Sequence, residues 1–116
     1  MKELVRKNRD LIKEWAFKNL NGKVFKIGNH KIKLSNSDIK SVLNKGHAEY
    51  IAKNNLLYNL QEVFDASIFI KTVKEAKERE KYKYWHYYQY KENFYINIVE
   101  YKGGEFKMHA ITDHLK

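Results

Sequence analysis

Histidine, lysine, tyrosine, carboxylate and hydroxyl groups must carry whatever chemistry this 116-residue chain performs, because it contains no cysteine. That absence removes thiol nucleophiles, disulfides and every cysteine-based zinc site. His86 and His109 lie in extended segments that also hold Asn97 and Lys107. Imidazole can take and give a proton near neutral pH, and a lysine ammonium can stabilise a developing anion. Cleavage of RNA by its own 2′-hydroxyl without a metal needs those parts: a base, an acid for the leaving 5′-oxygen, and a cation at the phosphorane-like transition state. One positioned proton-transfer group contributes a factor of about 10²–10⁴ in rate.

Side chains alternate along a strand, so register decides which groups share a face. A two-residue turn at Glu92-Asn93 sets Trp85 opposite Glu100, Tyr87 opposite Ile98 and Gln89 opposite Ile96. Trp85, Tyr87, Phe94, Ile96 and Ile98 then form an apolar face, and His86, Tyr88, Asn97 and Tyr101 a polar one. A three-residue turn at 102–104 pairs Asn97 with His109 and Val99 with Lys107, leaving Phe106, Met108 and Ala110 on the apolar side. The expectation is therefore that His86, Asn97, Lys107 and His109 share one wet sheet face. The tyrosines at 82, 84, 87, 88 and 90 suit both strand packing and base stacking, the latter worth about 1–3 kcal/mol per base.

The elements that must position these groups follow from periodicity. Leu4, Val5, Leu11, Ile12, Trp15 and Ala16 recur at helical spacing over residues 2–19, and Asn21-Gly22 ends that helix. Residues 23–28 and 31–34 read as two short strands around Gly28-Asn29. Ser35-Asn36-Ser37 caps a short helix that Gly46 stops just before His47; Ser37 is followed by Lys40, so no full capping box is expected. A further helix is expected over 55–65, a short extended run over 66–70, and an exposed loop or partial helix over 74–83. Residues 82–91, 94–101 and 105–112 read as three antiparallel strands, because connections this short permit nothing else. The expected fold is a single α+β domain over 1–116, with N-terminal helices on one face of a C-terminal antiparallel sheet.

The formal charge of +9 is concentrated in residues 1–60, which carry +8 against +1 for 61–116. Such a field favours a polyanionic partner, since each lysine that neutralises a phosphate releases counterions. No P-loop, dinucleotide fingerprint, HExxH or EF-hand pattern occurs, and His109 and His114 lack accompanying ligands, so neither cofactor nor metal is expected. No apolar run approaches membrane-spanning length, and the opening residues lack a signal-peptide core, which leads to the expectation of a soluble, cytoplasmic chain without membrane partners.

The order of KLSNSDIKSVLNKGH (33–47), LYNLQEVFDASIFI (57–70), YKYWHYYQY (82–90), NFYINIVEYKGG (93–104) and EFKMHAITD (105–113) resembles the phage-associated nuclease domains of the barnase–EndoU–colicin–RelE-like superfamily. Those domains occur in large polyvalent phage proteins and polymorphic toxins. The resemblance implies a barnase/RelE-like fold and an RNA-cleaving toxin with its site on the open face of an antiparallel sheet. On its pattern His47, His86 and His109 match catalytic positions, and Thr112 a hydroxyl near the end of the last strand. With no arginine in the sheet strands, Lys107 or Lys45 would meet the transition-state charge, beside RNA contacts from Tyr88, Asn97 and Tyr101. Partners implied are RNA and an acidic antitoxin or immunity protein. The alternatives are a non-catalytic RNA-binding module that uses the same face, and an accessory domain that docks onto another phage or toxin protein, its basic charge being incidental. If lysine–phosphate contacts dominate, RNA affinity measured by fluorescence anisotropy falls steeply and log-linearly with salt; a flat titration argues against phosphate recognition.

Overall fold

The computed structural model describes residues 2–77 and 81–115. Helix α1 (Lys2–Asn19) turns Ile12 and Ala16 into the core, while Leu4 and Leu11 from the same apolar stripe stay exposed. A hairpin of β1 (Val24–Ile27) and β2 (His30–Lys33) follows, closed as expected by Gly28-Asn29. Helix α2 (Asn36–Asn44) starts at Ser35, and here the sequence expectation is corrected. Ser35 Oγ accepts from the Asp38 amide and an Asp38 carboxylate oxygen accepts from the Ser35 amide, each at 3.2 Å, which makes a complete capping box.

The helix expected over 55–65 is divided into α3 (Tyr50–Asn55), a 3₁₀ turn (Leu56–Asn59) and α4 (Leu60–Ala66). Asn59, at φ −132° and ψ 44°, interrupts the helical run. Four strands complete the chain: β3 (Ile68–Lys74), β4 (Tyr82–Tyr90), β5 (Phe94–Tyr101) and β6 (Phe106–Thr112), hydrogen-bonded in that order and antiparallel throughout. The β3 strand extends beyond the short run expected. Of the loop or partial helix expected over 74–83, Lys74 belongs to β3, Tyr82 and Lys83 belong to β4, and residues 78–80 lie outside the described residues. The architecture is the expected α+β arrangement of helices first and an antiparallel sheet afterwards. No described helix is long and apolar enough to cross a membrane.

The hydrophobic core lies between the helices and one sheet face, where Tyr88, Phe94, Ile96, Ile98, Met108 and Ile111 meet Ile12, Ile39, Leu43 and Phe64. Two register facts decide what that face contains. Tyr90 pairs with Phe94, so the β4–β5 loop has three residues, Lys91 to Asn93, with Lys91 at φ 53°. This one-residue slip from the expected pairing sets His86 opposite Ile98 and Tyr87 opposite Asn97. His86 and Tyr88 therefore turn inward, and Trp85 and Tyr87 outward, the reverse of the expectation for β4. Between β5 and β6 the expected Val99–Lys107 pairing holds. A bulge then moves Asn97 opposite Ala110 rather than His109 and returns Ile111 to the core.

The β1–β2 hairpin packs on the inner face through close approach of its turn. A Cβ built on Gly28, whose φ is +56°, would stand 2.7 Å from the Tyr88 hydroxyl. Gly28→Ala is expected to lower unfolding free energy by about 1–3 kcal/mol through the left-handed backbone and the clash together. Urea denaturation checks this, and adding Tyr88→Phe should recover the steric part only.

Candidate functional site

The outer sheet face carries side chains from all four strands. Trp85 and Tyr87 of β4, Asn97 of β5, His109 and Thr112 of β6, and Lys45 just past α2 line a cavity of about 160 Å³. His109 also borders a second cavity of about 230 Å³, which it shares with Asp38, Lys81, Tyr82, Tyr101 and Lys107 among others. One imidazole thus stands between an aromatic-walled cavity and a lysine-bearing one.

Each wall has a physical reason for its position. The Trp85 indole N–H donates to Glu75 at 2.7 Å, and this bond holds the Glu75 carboxyl below the usual carboxylate range. So fixed, the indole meets the His109 ring edge-on, with centroids 5.0 Å apart and an angle of 83°. Tyr87 is buried beneath the Lys71 ammonium, 5.6 Å from its ring centre. Burial, and then the Glu75 charge, raise the phenol pKa, so the hydroxyl stays protonated. Asn97 is only 8% exposed and its buried Oδ1 has no hydrogen-bond partner among the described residues. Thr112 is buried, and its hydroxyl donates to the His114 carbonyl at 2.8 Å. In the neighbouring cavity, burial raises the Asp38 pKa against the opposing pull of Ser35 and Lys107.

Lys45 owes its place to another lysine. Lys53 has no exposed surface, and its ammonium donates to the carbonyls of Val42 at 2.6 Å and Lys45 at 2.8 Å, at the end of α2. The Val42 carbonyl also accepts from the Lys45 amide at 3.3 Å where the helix closes, and a cation at these last carbonyls meets the negative end of the helix dipole. The buried charge therefore ends α2 and directs the chain into the residue that reaches the cavity.

The residues expected from sequence divide clearly. Lys45, Asn97, His109 and Thr112 come together, and Lys107 and Tyr101 lie beside them, the Lys107 ammonium 5.6 Å from the Tyr101 ring centre. His86 does not join them. It faces inward, 6% exposed, with Nε2 at 2.9 Å from Glu100 and Nδ1 at 2.8 Å from the Thr72 hydroxyl. The carboxylate can only accept, so Nε2 carries the hydrogen of that bond. The His30 ring lies against His86 with centroids 4.3 Å apart and the planes tilted by 38°, a contact between the hairpin and the sheet.

Tyr88 is likewise a core residue, 4% exposed, rather than a surface available to RNA. His47, expected in a loop and matched to a catalytic position, is buried and stacks on Phe94 at 4.9 Å and 12°. Its Nε2 meets the Asn93 carbonyl at 2.7 Å and its Nδ1 accepts the Glu49 amide at 2.8 Å, so both nitrogens are engaged with backbone. The three-residue loop is the physical reason for the displacement of His86 and Tyr88. Trp85 and Tyr87, placed in the core by the expected register, occupy the outer cavity instead. Their alternation was visible in the sequence, but its direction was not.

No cluster of histidines and carboxylates fit to hold a metal ion occurs among the described residues. The family model of large polyvalent protein-associated domain 3 matches residues 4–102. No curated protein and no solved structure matches the chain.

The Lys53 cage gives a stability prediction. Burial lowers its pKa to about 8, whereas in the unfolded chain the group titrates near 10.5. Between those values the unfolded state binds more protons, so this group makes stability rise with pH across that window. Thermal melts should show Lys53→Met destabilised by about 1–3 kcal/mol at pH 7, because the buried carbonyls at the end of α2 lose the ammonium donor. The gap to wild type should widen from pH 8 to pH 10.

Proposed function

This chain is a member of the large polyvalent protein-associated domain 3 family, and for it we propose RNA binding and metal-independent RNA cleavage on the outer face of the sheet. The observation that carries the reading is the gathering of Lys45, Trp85, Tyr87, Asn97, His109 and Thr112 around one cavity, with Lys81 and Lys107 in the next. A base enters the aromatic cavity and stacks on Trp85, and the unpartnered Asn97 Oδ1 accepts from its exocyclic amine or from a ribose hydroxyl. The adjoining phosphate lies towards the lysines.

In this mechanism His109 removes the 2′-hydroxyl proton, and the 2′-oxygen attacks phosphorus. Lys45 and Lys107 offset the charge that builds on the non-bridging oxygens. The bond to the 5′-oxygen breaks, and the Tyr87 phenol supplies the proton that the leaving oxygen needs. The products are a 2′,3′-cyclic phosphate and a 5′-hydroxyl end. The basic face calls for an acidic protective partner if the domain acts as a phage- or mobile-element-associated toxin.

A second reading rests on one observation: the two histidines expected to work as a pair face opposite sides of the sheet. With a single imidazole in the cavity, the same face suits a non-catalytic RNA-binding module. Incubation of labelled tRNA in EDTA separates the two. His109→Ala should lower the cleavage rate by about 10²–10⁴ while RNA affinity stays within a few-fold of wild type. His86→Ala should reduce stability yet leave the rate per folded molecule unchanged. Binding by wild type with no cleavage would establish the module instead.

A further inference from the structure

Three cavities adjoin along helix α2 and strand β6, which pack against one another. The helix reaches the aromatic cavity through Lys45 past its end, the second through Asp38 and Ser41, and a third, of about 480 Å³, through its cap Ser35. On the facing wall His109 borders the first and second cavities, and Lys107 the second and third. At 1.5 Å of rise per residue the run from Ser35 to Lys45 is about 15 Å long, more than one nucleotide spans.

The third cavity lies between β2 and the turn that leads into β6. Strand alternation buries Ile32 and leaves Lys31 and Lys33 exposed on the other side of β2, and both line this cavity. Neither ammonium has an ion pair or hydrogen bond among the described residues. Two carboxylates touch the path. Asp38 is 4% exposed, with one oxygen bonded to the Ser35 amide, and Glu105 borders the third cavity, where Lys31, Lys33 and Lys107 outnumber it.

The occupant must therefore carry repeated negative charge beside a flat ring. An acidic peptide would meet the lysines but need supply no ring for the Trp85 cavity at the other end. A duplex keeps its bases paired and stacked, away from that indole. Single-stranded RNA matches both features, because its phosphates recur along the backbone and its bases stack on aromatic side chains.

We propose that the cavity between β2 and the β5–β6 turn is a second RNA subsite, in which Lys31 and Lys33 hold phosphates beyond the one at His109 and Lys107. The substrate class is then single-stranded RNA several nucleotides long. This subsite depends on RNA occupying the aromatic cavity, as proposed above, but does not depend on cleavage.

The test uses the full chain and fluorescein-labelled 2′-fluoro oligouridylates of two and five nucleotides, which lack the attacking hydroxyl and so report binding alone. The longer strand should bind at least tenfold more tightly. Lys31→Ala/Lys33→Ala should remove most of that gain, leave dinucleotide affinity within twofold of wild type, and lower the salt slope by about 0.7–1.4, at roughly 0.7 per phosphate released. Lys7→Ala/Lys74→Ala, which removes the same charge from exposed positions outside all three cavities, should leave the gain intact. Should the Lys31/Lys33 variant melt below wild type, Lys31→Gln/Lys33→Gln provides the second test, with the same loss expected. Equal affinity for the two lengths, or an equal loss in the control pair, overturns the subsite while dinucleotide binding upholds the RNA reading. Binding of neither length overturns both. Displacement of the longer strand by hexaglutamate at equal charge concentration also overturns the subsite and assigns the lysines to an acidic peptide.

Discussion

The direction in which β4 faces depends on one backbone conformation. Lys91 adopts φ 53°, a left-handed value that costs a non-glycine residue of order 1–3 kcal/mol and persists only where the surroundings over-determine it. Here the surroundings are the strands on either side. With the three-residue loop, Phe94, Ile96 and Ile98 reach the core together with Tyr88. A two-residue loop would exchange Tyr88 for Tyr87 in that layer and carry Trp85 inward. The same constraint thus places the indole and one phenol on the outer face and seals His86 inside.

Given that register, the outer face is completed from the other side of the molecule. The end of α2 is held by the buried Lys53 ammonium, so the position of Lys45 rests on a charge that never reaches solvent. The bulge in β6 has a related effect: it adds a residue at the point where His109 borders both cavities, and lets the strand return Ile111 to the core. Site and core are therefore served by the same strand without a compromise in either, through one irregularity in the ladder.

Much of the fold was legible because its signals are local. The 2–19 helix has a clean period, the Gly28-Asn29 turn marks its own hairpin, and a three-residue turn at 102–104 gives the Val99–Lys107 pairing that the structure has. The facing of β4 was not legible. Both of its alternating rows are aromatic, Tyr84, His86, Tyr88 and Tyr90 on one side and Trp85 and Tyr87 on the other, so pattern alone favours neither. The deciding feature, a lysine with positive φ, has no glycine or asparagine to announce it. Lys53 was missed for a different reason: lysine is among the residues least often buried, and its partners are backbone carbonyls that no motif records. Of the candidate site, Lys45, Asn97, His109 and Thr112 were found from sequence, whereas Trp85 and Tyr87 needed coordinates.

The inward-facing polar cluster has a consequence of its own. Thr72, His86 and Glu100 come from three neighbouring strands and are joined through one imidazole ring. The ring acts as a rivet that resists fraying of β3, the strand with the least cover. Natural variation at any of these three positions is therefore to be interpreted as a change in how readily the sheet unzips from that margin, and not as a change in the chemistry of its opposite face.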